Sequence, residues 1–376
     1  MDGEIKKIIK KETGDWYDYS AIDKLNCQYN FIIGERSNGK TYGALLKVIK
    51  KFLEKGEKGA YIRRYKEDFR GKRGDALFES IEKDGVVREL TDGKYDGVKY
   101  QNGRWYLSKF DEKLQKKIAG DEPFCYGFAI SDMEHDKSTS YPDVTTIIFD
   151  EVLTRGYYLQ NEFVLFMNTL STIIRHRNNV KIYMLGNTVN KFAPYFIEMG
   201  LKHVANMEKG QIDVYTYGNS TLKVAVEYCA SPKKEGKKSD VYFAFDNPSL
   251  QLITGGAWEI DMYPHCPCDY SYKNIEFNFF ILFNENMLQG DIISVDNKNF
   301  IFIHRKSTPI KDWDEDLIFS LDMWDARPNI IRGLDKSSLK CVRIIKEYFR
   351  EDKVFYQDNE VGEVVRNFLQ ESKRAV

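Results

Sequence analysis

An α/β chain of two domains is the architecture this sequence predicts, and three features predict it. A glycine-bounded loop joins an apolar strand to a helical pattern across residues 29–53. A second, largely apolar strand ends in two carboxylates at residues 145–151, and beyond residue 273 the order changes to three strands in succession. Strands alternating with helices call for a parallel sheet covered by helices, and a later run of strands marks a separate, smaller α/β domain. The length of 376 residues exceeds most single domains.

The loop is Gly34-Glu35-Arg36-Ser37-Asn38-Gly39-Lys40-Thr41, after Tyr29-Asn30-Phe31-Ile32-Ile33 and before the helical pattern 41–53. This is a P-loop in its strand-loop-helix setting. Its glycines permit backbone angles that turn successive N–H groups toward phosphate oxygens, and the following helix dipole favours negative charge there. All eight residues, Gly34 to Thr41, are therefore expected to cradle ATP, with Lys40 on the β- and γ-phosphates and the Thr41 hydroxyl on Mg²⁺.

Before the loop, residues 4–12 read as a short amphipathic helix with Ile5, Ile8 and Ile9 on one face. After it, residues 59–64 read as a strand, and residues 98–101 and 104–108 as a hairpin turned by Asn102-Gly103. A further strand is expected at 124–130. Thr145-Thr146-Ile147-Ile148-Phe149-Asp150-Glu151 has the continuous apolar run of a buried parallel strand, whose carboxyl end is where ligands sit in open α/β sheets. It reads as a Walker B strand, with Asp150 on Mg²⁺ and Glu151 polarising the attacking water.

Phe163, Phe166, Met167, Leu170, Ile173 and Ile174 recur at helical spacing, and the helix runs into Arg175-His176-Arg177. The strand 180–185 then ends at Gly186-Asn187, where an amide at the tip could sense the γ-phosphate. Residues 213–228 alternate around the turn Gly218-Asn219, and the lysines 233, 234, 237 and 238 form an exposed basic loop. The expected division is an ATPase domain at 1–228, a linker region at 229–272 and a small domain at 273–376. In the last, strands at 277–283, 290–295 and 300–304 precede a strand at 318–321, a helix at 339–349, a strand at 353–357 and a helix at 359–369. A ribonuclease-H-like fold has such an order.

The formal net charge of −1 assigns any nucleic-acid contact to local basic patches rather than a global field. No apolar run reaches the length of a membrane span, and the first residues lack a signal pattern, so a soluble intracellular protein is expected. The six cysteines are scattered as reduced thiols are, and His265-Cys266-Pro267-Cys268 reads as a turn because no second ligand pair has metal-site spacing.

Asn30-Phe31-Ile32-Ile33-Gly34 with its P-loop, Tyr61-Ile62-Arg63-Arg64-Tyr65-Lys66, the stretch from Tyr141-Pro142 to Asp150-Glu151, and Pro194-Tyr195-Phe196 resemble the DNA-packaging ATPases of phi29-like podophages across the first 200 residues. Beyond residue 230 the likeness rests on the strand pattern and Asp358-Asn359. The resemblance implies an N-terminal P-loop domain of the ASCE/RecA-like kind and a C-terminal ribonuclease-H-like domain of vestigial nuclease type. It implies a motor that hydrolyses ATP with Mg²⁺ to drive double-stranded DNA into a prohead through the portal, working in the host cytoplasm and on the prohead as a homo-oligomeric ring, read as a pentamer. A structural RNA is a conceivable intermediary at the portal.

By the same resemblance Arg175 and Lys137 act in trans on a neighbour's nucleotide, and an arginine finger of this kind is worth a factor of about 10³–10⁵. Arg63, Arg64, Lys66, Lys233, Lys234, Lys237 and Lys238 are the expected contacts to DNA phosphates. The strand 277–283 lacks the carboxylate a two-metal nuclease carries on its first strand, leaving Asp322 and Asp358 as an incomplete set. Three alternatives stand beside the motor: a headful terminase large subunit with an active nuclease, a nucleotide-gated DNA- or portal-binding protein that does not turn over, and a small-molecule kinase, for which the sequence shows no acceptor-binding lid pattern. Glu151 argues against the second, since a pure switch needs no water-activating carboxylate.

Overall fold

In the computed structural model the chain separates into two units, Met1–Glu259 and Ile260–Val376. The structure describes residues 5–9, 16–135, 140–230, 261–296, 298–321, 323, 325–334 and 337–373. The first unit carries β1 (Ile5–Ile9), β2 (Tyr29–Gly34), β3 (Lys58–Arg63), β4 (Gly97–Gln101), β5 (Arg104–Asp111), β6 (Lys116–Ala119), β7 (Cys125–Ala129), β8 (Val144–Asp150), β9 (Lys181–Asn187), β10 (Gln211–Thr216) and β11 (Lys223–Tyr228). Its two long helices are α1 (Lys40–Lys55) and α2 (Glu162–Ile174).

These strands form one sheet in the order β1-β10-β11-β2-β9-β8-β3-β7-β5-β4, with β6 paired to β5. The six from β11 to β7 are parallel neighbours, and antiparallel strands close both ends. Successive residues of β2 serve opposite faces: Phe31 and Ile33 join one core with Phe166, Leu170 and Ile173 of α2, while Ile32 joins the other with Leu45, Val48 and Ile49 of α1. A strand buried on both faces must read as a continuous apolar run, which is why β2, β8 and β9 stood out. The parallel centre puts the ends of β2, β9, β8 and β3 on one edge, where β9 lies between the loop strand and the acidic strand.

The expected helix at 4–12 is corrected to an edge strand, because Ile5–Ile9 pairs antiparallel with β10. Three isoleucines spaced for a helix are equally good strand formers, and an open sheet edge decides between the two. The hairpin forms with Asn102 and Gly103 both at positive φ, 52° and 74°, as a two-residue turn between twisted strands requires.

The second unit holds β12 (Ile275–Phe283), β13 (Asn286–Val295), β14 (Lys298–Arg305), β15 (Ile318–Ser320), β16 (Ile330–Ile331) and β17 (Val354–Tyr356), with helices α3 (Lys340–Arg350) and α4 (Asn359–Ser372). They make a mixed sheet in the order β16-β15-β12-β13-β14-β17. β12 begins two residues earlier than expected and so includes Glu276, an exposed carboxylate on the first strand that the range 277–283 had left out. The linker reading of 261–272 is also corrected. Tyr263 N–H donates to Asn359 Oδ1 at 3.0 Å, the Tyr263 hydroxyl to Glu363 at 2.9 Å, and Tyr356 N–H to the Pro264 carbonyl at 2.8 Å. These bonds tie the segment to α4 and β17.

Candidate functional site

The loop between β2 and α1 closes around its own lysine. Ser37 (φ 59°) and Gly39 (φ 88°) take the left-handed conformation, and Gly39 starts α1 with no capping side chain of its own, while the Lys40 N–H donates to Asn38 Oδ1 at 3.3 Å. Lys40 Nζ donates to the Glu35 carbonyl at 2.5 Å, Asn38 Oδ1 at 3.1 Å, the Gly34 carbonyl at 3.3 Å and Asn187 Oδ1 at 3.4 Å. Asn187 reaches the lysine because β9 pairs with β2 in the register Gly34 to Asn187. Burial pushes the Lys40 ammonium below its usual pKa, against the raising influence of nearby Asp150 and Glu35. An anionic ligand in the loop would push that pKa up again.

Asp150, at the end of β8, is buried and accepts from the Thr41 hydroxyl at 3.0 Å, the Tyr61 hydroxyl at 2.8 Å and the Glu151 N–H at 3.0 Å. Burial pushes its carboxyl above the ordinary aspartate value, and Arg63, Tyr61 and Thr41 pull it back. A hydroxyl and a carboxylate oxygen this close are the hard oxygen donors that suit Mg²⁺. Glu151 takes a left-handed φ of 58°, an uncommon conformation for a residue with a Cβ and one that clusters at functional sites. Its carboxylate accepts from Arg63 Nη2 at 2.6 Å, and Arg63 also pairs with Asp68 at 3.3 Å. Tyr61 and Arg63 stand two residues apart on β3, so one strand face supplies partners to both acids.

A cleft of about 1360 Å³ opens over this group and is lined by the loop, Asp150, Glu151 and Asn187, with Trp16, Arg36 and Arg155 among its walls. The aromatic segment 16–19 divides its work. Trp16 is exposed at the cleft, Tyr17 N–H donates to the Asn38 carbonyl at 2.9 Å, and the buried Tyr19 hydroxyl donates to the Lys40 carbonyl at 2.6 Å. Tyr19 therefore supports the loop from beneath, while Trp16 and Tyr17 line the cleft.

Of the expected site residues, the structure brings the eight loop residues, Asp150, Glu151 and Asn187 together. Arg64 is a correction: it is buried, and its guanidinium bonds Glu162 at 2.8 and 2.9 Å and the carbonyls of Glu151 and Val152. A guanidinium spent on a buried carboxylate is not a surface contact for DNA. Arg63 is likewise turned toward Glu151 and Asp68, whereas Lys66 is exposed and pairs with Asp132 at 2.5 Å. Lys137, Lys233, Lys234, Lys237, Lys238 and Asp322 lie outside the described residues.

Arg175 caps the C-terminus of α2 and is exposed. Its neighbour Arg177 donates to the carbonyls of Val144 at 2.5 Å and Tyr141 at 2.9 Å, so this corner sits at the beginning of β8, while the cleft lies at that strand's end. Reading the sequence missed Tyr61, Arg155 and Glu162. Tyr61 had a signal in its two-residue offset from Arg63, but nothing in the local pattern marks Arg155.

In the second unit Asp358 caps α4, accepting from Val361 N–H at 2.9 Å, and pairs with Arg305, which also bonds Glu360 at 2.9 Å. Among the described residues no group of His, Cys, Asp and Glu side chains has the arrangement of a metal site. Cys266 Sγ instead lies 3.2 Å from the Cys268 carbonyl, closing the expected turn. Among the described residues no helix is long and apolar enough to cross a membrane.

The fold defines a class. Over 96% of this chain it matches a chain of "The Phi-28 gp11 DNA packaging Motor", covering 97% of that chain at a TM-score of 0.52 and 16% identity. A chain of "The bacteriophage Phi-29 viral genome packaging motor assembly" matches 96% of this one and 99% of itself, at a TM-score of 0.50 and 20% identity. At such identities the likeness concerns the fold alone. Residues 13–241 match the Podovirus DNA encapsidation protein (Gp16) family, and the chain belongs to it. The DNA packaging protein of Bacillus phage B103 is 32% identical over 175 residues, 46% of this chain and 48% of the relative, and that of Bacillus phage phi29 is 29% identical over a stretch of the same length. The chain thus spans about half the length of the curated relatives it matches.

Proposed function

We propose that this chain is the ATPase of a genome-packaging motor, coupling ATP hydrolysis to the translocation of double-stranded DNA into a viral prohead. The observation that carries the reading is the convergence of Lys40, Thr41 and Asp150 at one loop, with the Thr41 hydroxyl 3.0 Å from the Asp150 carboxylate. Family membership supplies the packaging context. The first unit is then a P-loop domain of the ASCE/RecA-like kind, and the second a ribonuclease-H-like domain without nuclease activity, its Asp358 engaged by Arg305.

In this reading the N–H groups of residues 34–41 and the Lys40 ammonium hold the β- and γ-phosphates. Thr41 and Asp150 are the residues that would hold Mg²⁺, and the ion would supply positive charge against the developing phosphate charge. Glu151 leaves Arg63 to orient and polarise the attacking water, and Asn187, already bonded to Lys40, registers loss of the γ-phosphate. Arg175 and Lys137 complete a neighbour's site, which makes a closed homo-oligomeric ring, a pentamer by family analogy, the active form. Lys66 and the lysines of 233–238 contact DNA phosphates in a salt-sensitive, sequence-blind way. The portal, with or without a structural RNA, receives the ring, and the work is done in the host cytoplasm on the prohead.

The test is steady-state ATP hydrolysis with and without double-stranded DNA across a protein concentration series. Turnover that rises with both supports the motor. Nucleotide binding without turnover, even with DNA and the cognate prohead present, overturns it.

A further inference from the structure

On the first unit, away from the nucleotide cleft and sharing none of its lining, a second groove of about 290 Å³ lies at the tip of the β4–β5 hairpin beside β7. Its walls are aromatic and its rim is cationic. Tyr126 and Tyr141 meet edge to face with ring centroids 5.1 Å apart, and Tyr100 lines the same groove. The Arg104 guanidinium lies 5.9 Å from the Tyr126 ring centre, and Lys66 pairs with Asp132 at 2.5 Å. Among the described residues the charged lining is Lys66, Arg104 and Asp132, so two cations there face one carboxylate that already has a partner.

That chemistry selects a ligand. A cationic peptide would have to displace Lys66 from Asp132, and a purely apolar one would leave the rim charges unused. A planar, apolar face carrying an anion satisfies both walls and rim. The volume is of the order of one base with its sugar. We propose that this groove binds an unstacked nucleotide of a single-stranded nucleic acid, the base against Tyr126 and Tyr141 and the flanking phosphates on Arg104 and Lys66. Stacking on aromatic side chains is tolerant of base identity, so the site reads strand state rather than sequence. The proposal stands apart from the nucleotide reading of the cleft.

The experiment is fluorescence anisotropy of the full chain with short labelled oligothymidylate, oligouridylate and a duplex of equal length. Fluorescent ADP binding is followed in parallel as a report on the cleft. Single-stranded probe should bind, and Tyr126→Leu should weaken it by about 5- to 100-fold, the range expected for loss of base stacking. Arg104→Glu, at an exposed hairpin position, should weaken the same probe by about 10-fold or more while leaving duplex and ADP binding unchanged. Whether thymidylate or uridylate binds better identifies the strand as DNA or RNA. Absence of binding to both single strands, unchanged binding in Arg104→Glu, or an equal loss of duplex binding overturns the proposal.

Discussion

Arg63 Nη2 donates to Glu151 Oε2 at 2.6 Å, which places the expected general base on an arginine of the adjoining strand rather than over the phosphate loop. Polarising water requires that carboxylate to exchange partners. Glu151→Gln keeps the side chain's size and its acceptor oxygen toward Arg63 but removes the base. Hydrolysis should fall by about 10²- to 10⁴-fold with nucleotide affinity retained, as read by a phosphate-release assay beside fluorescent-nucleotide binding. Retained turnover would remove Glu151 from the chemistry.

The buried pair of Arg64 and Glu162 concerns stability, not DNA. Glu162 has no exposed side chain, and it also accepts from the Tyr195 hydroxyl at 2.7 Å and the Leu159 N–H at 2.7 Å. Arg64→Ala leaves that carboxylate buried with its charge uncompensated, at a cost of about 3–5 kcal/mol. Thermal unfolding should shift down by many degrees. An Arg64→Ala protein with unchanged melting and weakened DNA binding would restore the surface reading of this residue.

The contrast between these residues shows what the sequence could and could not reveal. Residues 34–41 were legible because the loop makes demands that few residue types meet, among them the positive φ of Gly39 and the lysine directly after it. β8 was legible because burial on both faces requires an unbroken apolar run. The Tyr61 bond to Asp150 spans 89 positions and the Arg64 bond to Glu162 spans 98. Such pairings depend on which strands become neighbours, and periodicity within a window carries no record of that. Arg64, read locally, looked like part of a basic surface patch; only the order β8-β3-β7 turns it inward.

Burial, with Arg63 and Tyr61 against it, sets the direction of the Asp150 shift. Burial raises the Asp150 pKa in the folded chain, so its contribution to stability is fully present below the unfolded value and is lost as pH rises through the folded one. On the proposed reading, Mg²⁺-dependent nucleotide binding runs the other way, because it would need the Asp150 carboxylate and would fail as pH falls through the same value. Tyr61→Phe removes a hydroxyl that favours the charged form, so Asp150 should rise further. The acid limb of Mg²⁺-dependent nucleotide binding should move to higher pH, with about 1–3 kcal/mol of stability lost. A pH series of binding with and without Mg²⁺ checks this; an unmoved limb would mean that Asp150 is not the titrating ligand.

Arg175 stands at the wrong end of the sheet for its own nucleotide. Its corner is fixed to Val144 at the start of β8, and six residues of extended chain, about 20 Å, separate that point from Asp150. If Arg175 acts on phosphate at all, it acts on a neighbour's. Arg175→Ala and Glu151→Gln proteins should each be nearly inactive, the first by about 10³-fold or more if the arginine is a finger. Mixed in one assembly, an Arg175→Ala subunit still offers an intact Glu151, and an adjacent Glu151→Gln subunit still offers an intact Arg175. One working site then forms at each such junction, and DNA-dependent hydrolysis should reappear on mixing at a level set by the ratio of the two proteins. Activity that never exceeds the sum of the separate variants would place Arg175 outside the catalytic site of its neighbour.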